Sequence, residues 1–281
     1  MSLKPDPASI RKLGILAGAG ALPREVAEAC LAQGTAVFIV DLEGAASEWA
    51  GAFAHQRVSL GQVGHVLDLL REQGCDAVTM AGGLVRPSLK KTRFDFKGLT
   101  LLPKLVLLFG KGDDELLSGV ADLFAKNGFP VIGPENFIPD SLARSGSIAG
   151  AVPDLNEIAY GCAILDALSP FDIGQAAVVS GARCLAVEAA EGTAAMLVRV
   201  ADMRAQGRIE KAAGGLLVKL PKREQDSRVD RPAIGPDTVR AAAKAGLTGI
   251  AVQAGGVIVL ESGRTERIAS ETGLSLYGFE R

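Results

Sequence analysis

The stretch from Leu216 to Val239, LLVKLPKREQDSRVDRPAIGPDTV, sets unusual charged and polar residues on and after an apolar run. An apolar strand carries Lys219, and the loop after it holds Gln225, Asp226, Arg228, Asp230 and Arg231. An ammonium group can neutralise an anion, and a carboxylate can accept hydrogen bonds or hold a cation. A solvated loop is the bland reading of such a run. Against it, Pro232, Gly235 and Pro236 stiffen the following segment, and stiff loops suit sites. Asp230, next to Arg231, reads as one half of a structural ion pair. Upstream, DIGQAAVV places Asp172 and Gln175 just before a strand, and LAVEAAEGTAAML places Glu188, Glu191 and Thr193 where a strand gives way to a helix. Thr193 either caps that helix or meets a substrate.

The first half offers backbone groups instead. GAGALP, from Gly18 to Pro23, lies between a strand and a helix, where unpaired N–H groups and the helix dipole favour a phosphate. Gly18, Ala19, Gly20, Ala21 and Leu22 are therefore candidate contacts, and bulk at Gly20, as in Gly20→Val, is expected to block binding while sparing stability. A dinucleotide fingerprint would want a third glycine where Pro23 stands, although Asp41 mimics the ribose-binding acid at the end of the second strand. A tight turn that needs glycine for its backbone angles explains the pattern equally well. AGGLVRP, from Ala81 to Pro87, ends a neighbouring strand, so Gly82 and Gly83 are expected to face the same crevice. Arg86 there is either a phosphate partner or a surface arginine. GKGDDELL, from Gly110 to Leu117, reads as acids complementing a helix dipole, not as a metal cup.

The elements that must position these groups follow from periodicity. LGILAG reads as a strand and PREVAEACLAQ as a helix, then AVFIVD as a strand, VGHVLDLLREQG as a helix and DAVTMAGG as a strand. Such alternation implies a parallel sheet with helices on its faces. Helices are expected around Leu101 to Phe109 and Glu115 to Asn127, followed by a strand at FPVIGP. Beyond Pro153 the grammar changes: LNEIAYGCAILDALS reads as a helix, QAAVVSGARCLAVEAAEG as a hairpin around Ser180-Gly181, LLVKL as a strand and the segment from Pro236 as a capped helix. GIAVQAGGVIVLESG reads as a second hairpin around Gly255-Gly256, which points to a mixed sheet. The expected class is α/β, an amino-terminal Rossmann-like parallel sheet domain (1–150) plus a carboxy-terminal mixed α/β domain (151–281), with the boundary at residues 145–155.

Composition narrows the chemistry further. A chain of 281 residues suits two domains, and 48% hydrophobic content excludes a disordered chain. Thirty basic and thirty-two acidic residues leave a formal charge of −2, so no global field would hold nucleic acid. Cys30, Cys75, Cys162 and Cys184 are far apart and His55 and His65 are the only histidines, so neither a zinc site nor a disulfide framework is expected. MSLKPDPASIRK lacks the apolar stretch of a signal peptide, and no run approaches about 18 apolar residues. A cytosolic protein is expected, one able to touch a membrane surface.

Taken together, GILAGAGALP, AGGLVRP, DIGQAAVV, LAVEAAEGT, the Lys219 to Val239 pattern KxxxxxQDxRxDxPxIGxxTV and AGLTGIAVQAGG resemble the UDP-2,3-diacylglucosamine pyrophosphatase family of the alternative type, which acts in lipid A assembly. The resemblance runs in order along nearly the whole chain. It implies a Mg²⁺-dependent hydrolase that splits UDP-2,3-diacylglucosamine into UMP and 2,3-diacylglucosamine 1-phosphate. It further implies an amino-terminal domain for the UDP part, a carboxy-terminal domain for the acylated sugar, and a homodimer. On that reading Asp226 is catalytic and holds Mg²⁺, and Lys219 is catalytic on a phosphate. Gln175, Thr193 and Gln225 orient the substrate, whose uridine diphosphate lies along Gly18–Leu22 near Gly82 and Gly83, and an apolar groove in the second domain takes the acyl chains. Ala194 stands where the family often has an acid, so no metal role is carried to that position. The alternatives are an NAD-dependent or nucleotide-sugar oxidoreductase using the GxG loop, and a sensor that binds a UDP-sugar without turnover.

Overall fold

A computed structural model of the chain describes residues 6–45, 48–83, 93–95, 113–210, 214–223 and 225–281. Arg86, the helix expected around Leu101 to Phe109 and the glycines at 110 and 112 lie outside the described residues. The chain divides into two compact units, Met1–Pro139 with Asp226–Asp230, and Asp140–Gln225 with Arg231–Arg281.

In the first unit the apolar runs fold as read. β1 (Lys12–Ala17), β2 (Ala36–Leu42), β3 (His55–Val58) and β4 (Ala77–Ala81) form a parallel sheet of order β3-β2-β1-β4. α1 (Leu22–Ala32) starts with Pro23 in its first turn and lays Val26, Ala27 and Cys30 on the core. α2 (Val63–Glu72) and α3 (Asp113–Lys126) serve a second cluster: Val66, Leu67, Leu70, Ala121 and Phe124 pack with Leu16, Phe38, Val40, Val58, Val78 and Met80. Strands buried on both faces need the continuous apolar runs the sequence shows. β3, with the sequence HQRV, is polar and short and carries no strand signal of that kind.

The strand expected at FPVIGP is instead a single bridge, Val131 to Val78. Val78 N–H donates to the Pro130 carbonyl and Ile132 N–H to the Val78 carbonyl. Pro130 has no N–H to continue the ladder, and Pro134 opens a 3-10 turn directly afterwards.

The second unit is a mixed six-stranded sheet of order β5-β12-β10-β8-β6-β7. Its strands are β5 (Gly146–Ala149), β6 (Ala176–Ser180), β7 (Arg183–Val187), β8 (Leu216–Lys219), β10 (Gly249–Gln253) and β12 (Ser275–Phe279). β8, β10 and β12 run parallel, while β6 and β5 pair antiparallel at either side. α4 (Leu155–Leu168) covers one face through Ile158 and Leu165. α5 (Gly192–Ala205), α6 (Pro236–Lys244) and α7 (Ser262–Glu271) share the other core cluster, contributing Leu197, Val239 and Ala269 among others. The architecture is α/β in both units, as the patterning implies.

One of the two expected hairpins forms. β6 and β7 pair antiparallel about Gly181, whose φ of 55° suits the turn. The other does not, because both edges of β10 are already taken by β8 and β12. The chain turns through Ala254–Gly256, and β11 (Ile258–Val259) leaves to pair in parallel with β9 (Ala233–Ile234) in a separate two-stranded sheet.

Candidate functional site

β1 lies between β2 and β4, so the chain leaves it in one direction and returns on its other side, which makes the carboxyl ends of β1 and β4 the switch point where ligands enter open α/β sheets. There the two glycine loops bind each other. Ala19 N–H donates to the Gly83 carbonyl and Gly83 N–H to the Ala19 carbonyl, both at 2.8 Å, and Gly18 N–H reaches the Ala81 carbonyl at 2.8 Å. A Cβ on Gly18 would lie 2.6 Å from the Gly83 oxygen, and one on Gly82 would lie 2.6 Å from the Ala19 oxygen. Gly18 and Gly82 are thus required by the approach of the two backbones, whose N–H groups at Gly18, Ala19 and Gly83 are engaged. Gly20 differs: at φ +99° a Cβ there meets nothing within 4 Å, and it stands just before α1, whose start has no side-chain cap.

Two expectations follow for variants of this loop. Gly82→Ala, at φ +91° and against backbone, is expected to lower stability by roughly 2–3 kcal/mol in urea titration. Gly20→Val does not separate binding from folding as the sequence suggests, because left-handed backbone itself costs about 1–2 kcal/mol for a residue with a side chain.

In the second unit Lys219, 6% exposed at the end of β8, heads a chain of side chains. Its Nζ donates to Thr193 Oγ1 at 2.7 Å, and the Thr193 hydroxyl donates to Glu188 Oε1 at 3.0 Å. Gln175 N–H reaches Glu188 Oε2 at 3.4 Å, and the Gln175 carbonyl accepts from Leu220 N–H at 3.0 Å. Thr193 therefore does not cap α5. Its hydroxyl links a buried cation to a carboxylate, which is how a charge withdrawn from water is tolerated. Gln225 organises its own loop, its Oε1 accepting from Lys222 N–H at 3.0 Å, while the Lys222 ammonium pairs with Asp172.

Asp226 belongs to the first unit with the rest of the segment to Asp230, and Val229 of that segment is in the first unit's core. Arg228 grips the Asp226 carboxylate: Nη2 to Oδ2 at 2.6 Å, and Nε to Oδ1 and Oδ2 at 3.0 and 3.1 Å. Ser118 Oγ from α3 adds a 3.4 Å contact. The hydrogen bonds from Arg228 hold the Asp226 carboxyl below its ordinary value, against the opposing effect of burial, so it is ionised at neutral pH. Arg228 Nη2 also stands 3.7 Å from Asp122 of α3. Two carboxylates sharing one positive group form a donor set of the kind a hard divalent cation accepts, since Mg²⁺ takes one or two carboxylates and completes its shell with water and phosphate oxygens. In this structure both carboxylates face the Arg228 guanidinium, so a cation using the two of them would have to displace it. Among the described residues no trio of His, Cys, Asp or Glu gathers as a metal site, and Mg²⁺ does not need one.

The structure thus groups Lys219, Thr193 and Gln175 around Glu188, and Asp226 with Ser118, Asp122 and Arg228. Ser118 and Asp122 escape a sequence reading because α3 presents them as ordinary polar residues of an amphipathic helix. Arg228, two residues after Asp226, is visible as a member of a charged run but not as its clamp. Asp41 is no ribose acid in this arrangement: it is 2% exposed and its Oδ2 accepts from Arg57 Nε at 2.7 Å.

Comparison with known proteins adds three findings. The LpxI N-terminal domain model matches residues 12–141 and the LpxI C-terminal domain model matches residues 145–277. UDP-2,3-diacylglucosamine pyrophosphatase LpxI of Caulobacter vibrioides (strain CB 15) is 38% identical over 276 residues, covering 96% of this chain and 98% of that protein. Among solved structures, the biotin carboxylase domain of Hydrogenobacter thermophilus 2-oxoglutarate carboxylase is 15% identical over 73% of this chain and 42% of its own. Its TM-score of 0.26 is too low to carry an argument about fold.

Proposed function

The chain belongs to the LpxI family, and from that premise we propose that it hydrolyses the pyrophosphate bond of UDP-2,3-diacylglucosamine in lipid A biosynthesis, releasing UMP and 2,3-diacylglucosamine 1-phosphate. The observation that carries this reading is similarity to a pyrophosphatase along nearly the full length of both chains, both family domains matching in order. No comparison supports an oxidoreductase, and the pairing of Asp41 with Arg57 removes the acid on which that alternative leaned.

Hydrolysis of a diphosphate requires a water held in line and stabilisation of charge on the phosphoryl and leaving oxygens. Asp226, ionised at neutral pH, orients the water or its proton. Lys219 supplies positive charge to the phosphate. Thr193 and Glu188 fix the lysine's position, and the start of α1 at Gly20, Ala21 and Leu22 offers backbone donors to the nucleotide's diphosphate. Gln225 keeps the loop before Asp226 in shape. Asp226 and Asp122 would hold Mg²⁺, which when bound polarises phosphate oxygens and lowers the pKa of water.

For the acyl chains, a groove of about 540 Å³ on the second unit is the favoured seat, lined by Leu155, Ile158, Cys162 and Phe279 together with the charged residues Asp166 and Arg281. Val152, Leu155 and Phe171, 72% exposed, place further apolar surface at the two ends of α4, which supports contact with a membrane surface. Among the described residues no helix is long and apolar enough to cross a membrane. The homodimer is proposed on the family resemblance alone.

The test is a turnover assay on UDP-2,3-diacylglucosamine with Mg²⁺ and with chelator, followed by product identification. UMP and the acylated sugar 1-phosphate formed only with Mg²⁺ are expected. Absence of hydrolysis refutes the reading, and undiminished hydrolysis in chelator refutes the metal. Deacylated UDP-glucosamine turned over as efficiently as the lipid would remove the groove from the site.

A further inference from the structure

The carboxyl edge of the first unit's sheet carries one pair that the chemistry above does not use. In register across it, Ala81 of β4 pairs with Ala17 of β1, Ala17 with Asp41 of β2, and Asp41 with Arg57 of β3. Residues in register on a parallel sheet point to the same face, so this row is two methyl groups followed by a carboxylate and a guanidinium. It lies at the ligand-binding edge, beginning beside the Gly18–Leu22 loop.

Asp41 is an expensive residue in this place. It is 2% exposed, Oδ2 accepts from Arg57 Nε, and among the described residues Oδ1 has no hydrogen-bond partner. A buried carboxylate, even a paired one, gains the fold little over an apolar residue of similar size, so packing does not account for it. What it achieves is to fix Arg57. With Nε tied to Asp41, the guanidinium plane is set, and the Arg57 side chain, 61% exposed, is left to present its Nη donors to solvent at the sheet edge.

Adjacent parallel strands are about 4.8 Å apart, so β3 stands roughly 10 Å from β1. A diphosphate seated at the start of α1 would leave its nucleoside within reach of this row and of Arg57. In dinucleotide-binding sheets an acid at the end of β2 takes a ribose hydroxyl. Here that acid is engaged by an arginine, which reverses what the position offers a ligand from an acceptor to a pair of donors. Donors suit a carbonyl.

We propose that Arg57, positioned by Asp41, reads the O4 carbonyl of uracil and so selects uridine over cytidine nucleotides. Cytosine carries an amino donor where uracil carries O4, and it would set donor against donor. The inference rests on the proposed uridine diphosphate substrate. Arg57 is the residue that touches the base, and Asp41 is a positioning residue.

The experiment is calorimetric titration of the full chain with UMP, CMP and 2′-deoxy-UMP, with hydrolysis of UDP-2,3-diacylglucosamine measured on the same preparations. UMP is expected to bind about tenfold more tightly than CMP, as one charge-assisted hydrogen bond at an exposed edge allows. Arg57→Met should bring the two affinities within a few-fold of each other by weakening UMP alone. Asp41→Asn should narrow the ratio less, and Arg57→Lys should not restore it, because an ammonium lacks the fork. Equal loss of UMP and CMP in Arg57→Met would assign the arginine to a phosphate, and a larger loss on removing the 2′-hydroxyl than on changing the base would assign it to ribose. Either result, an unchanged ratio or the absence of UMP binding overturns the proposal. Hydrolysis that persists while the ratio fails separates this failure from failure of the proposed function.

Discussion

Asp226→Ala is expected to lower kcat on UDP-2,3-diacylglucosamine by roughly 10²–10³-fold while KM moves only a few-fold, the range seen when one group that stabilises developing charge is removed. Asp226 is held ionised by Arg228, which bonds both of its oxygens, so it can serve as acceptor or cation ligand but not as a proton donor at neutral pH. Its folded pKa is below the ordinary carboxylate value of about 3.9. The stabilisation from its pairing is therefore complete above about pH 4 and is lost as pH falls through the lowered value. Between pH 5 and 8 the kcat profile should show no titration of this group. Addition of Mg²⁺ to chelated enzyme should restore turnover to the unaltered chain but not to the variant. Asp230→Ala is expected to affect mainly stability. Near-normal kcat in Asp226→Ala, with Glu188 or Glu191 proving indispensable, would move the chemistry to a different carboxylate.

Lys219→Met should leave the fold as stable as before, or more so, and reduce kcat/KM by a comparable roughly 10²-fold. Methionine keeps the unbranched shape of the lysine stem in β8 and removes a charge that the fold must otherwise compensate through Thr193 and Glu188. The opposite pattern is expected on the other side of the chain. Glu188→Gln leaves the buried ammonium facing a neutral partner and should lower the melting temperature. Thr193→Val, close in shape, removes the hydroxyl that joins the two charges and should cost about 1–3 kcal/mol of stability. Thermal melts beside steady-state kinetics decide the matter. A Lys219→Met protein with full kcat/KM would make the lysine a structural member of the network and leave phosphate charge to other groups.

Both predictions use residues that the sequence exposes and contacts that it hides, and the division has a physical basis. Alternation of apolar runs with helical periods fixed β1, α1, β2, α2 and β4, and Gly181 fixed the β6–β7 turn, because these signals act within a few residues of chain. The resemblance carried by the Lys219 to Val239 pattern identified the family, since that pattern preserves residue types in order and needs no coordinates. Tertiary structure decided which partner each element and each charge takes. Ile258 and Val259 did not close a hairpin because β10 had no vacant edge, and Val131 remained a lone bridge between prolines. Gly18 and Gly82, alike in sequence to phosphate-cradling glycines, are required by the contact of two backbones 64 residues apart in the numbering. Thr193 looked like a cap and links a buried lysine to a glutamate. Asp226 follows Gln225 in the chain, yet clusters with the first unit while Gln225 clusters with the second. Asp41 looked like a ribose acid until β3 brought Arg57 beside it. In each case local sequence sets what a group can donate or accept, whereas the neighbour that claims it is chosen by strand order and burial, which depend on the whole chain.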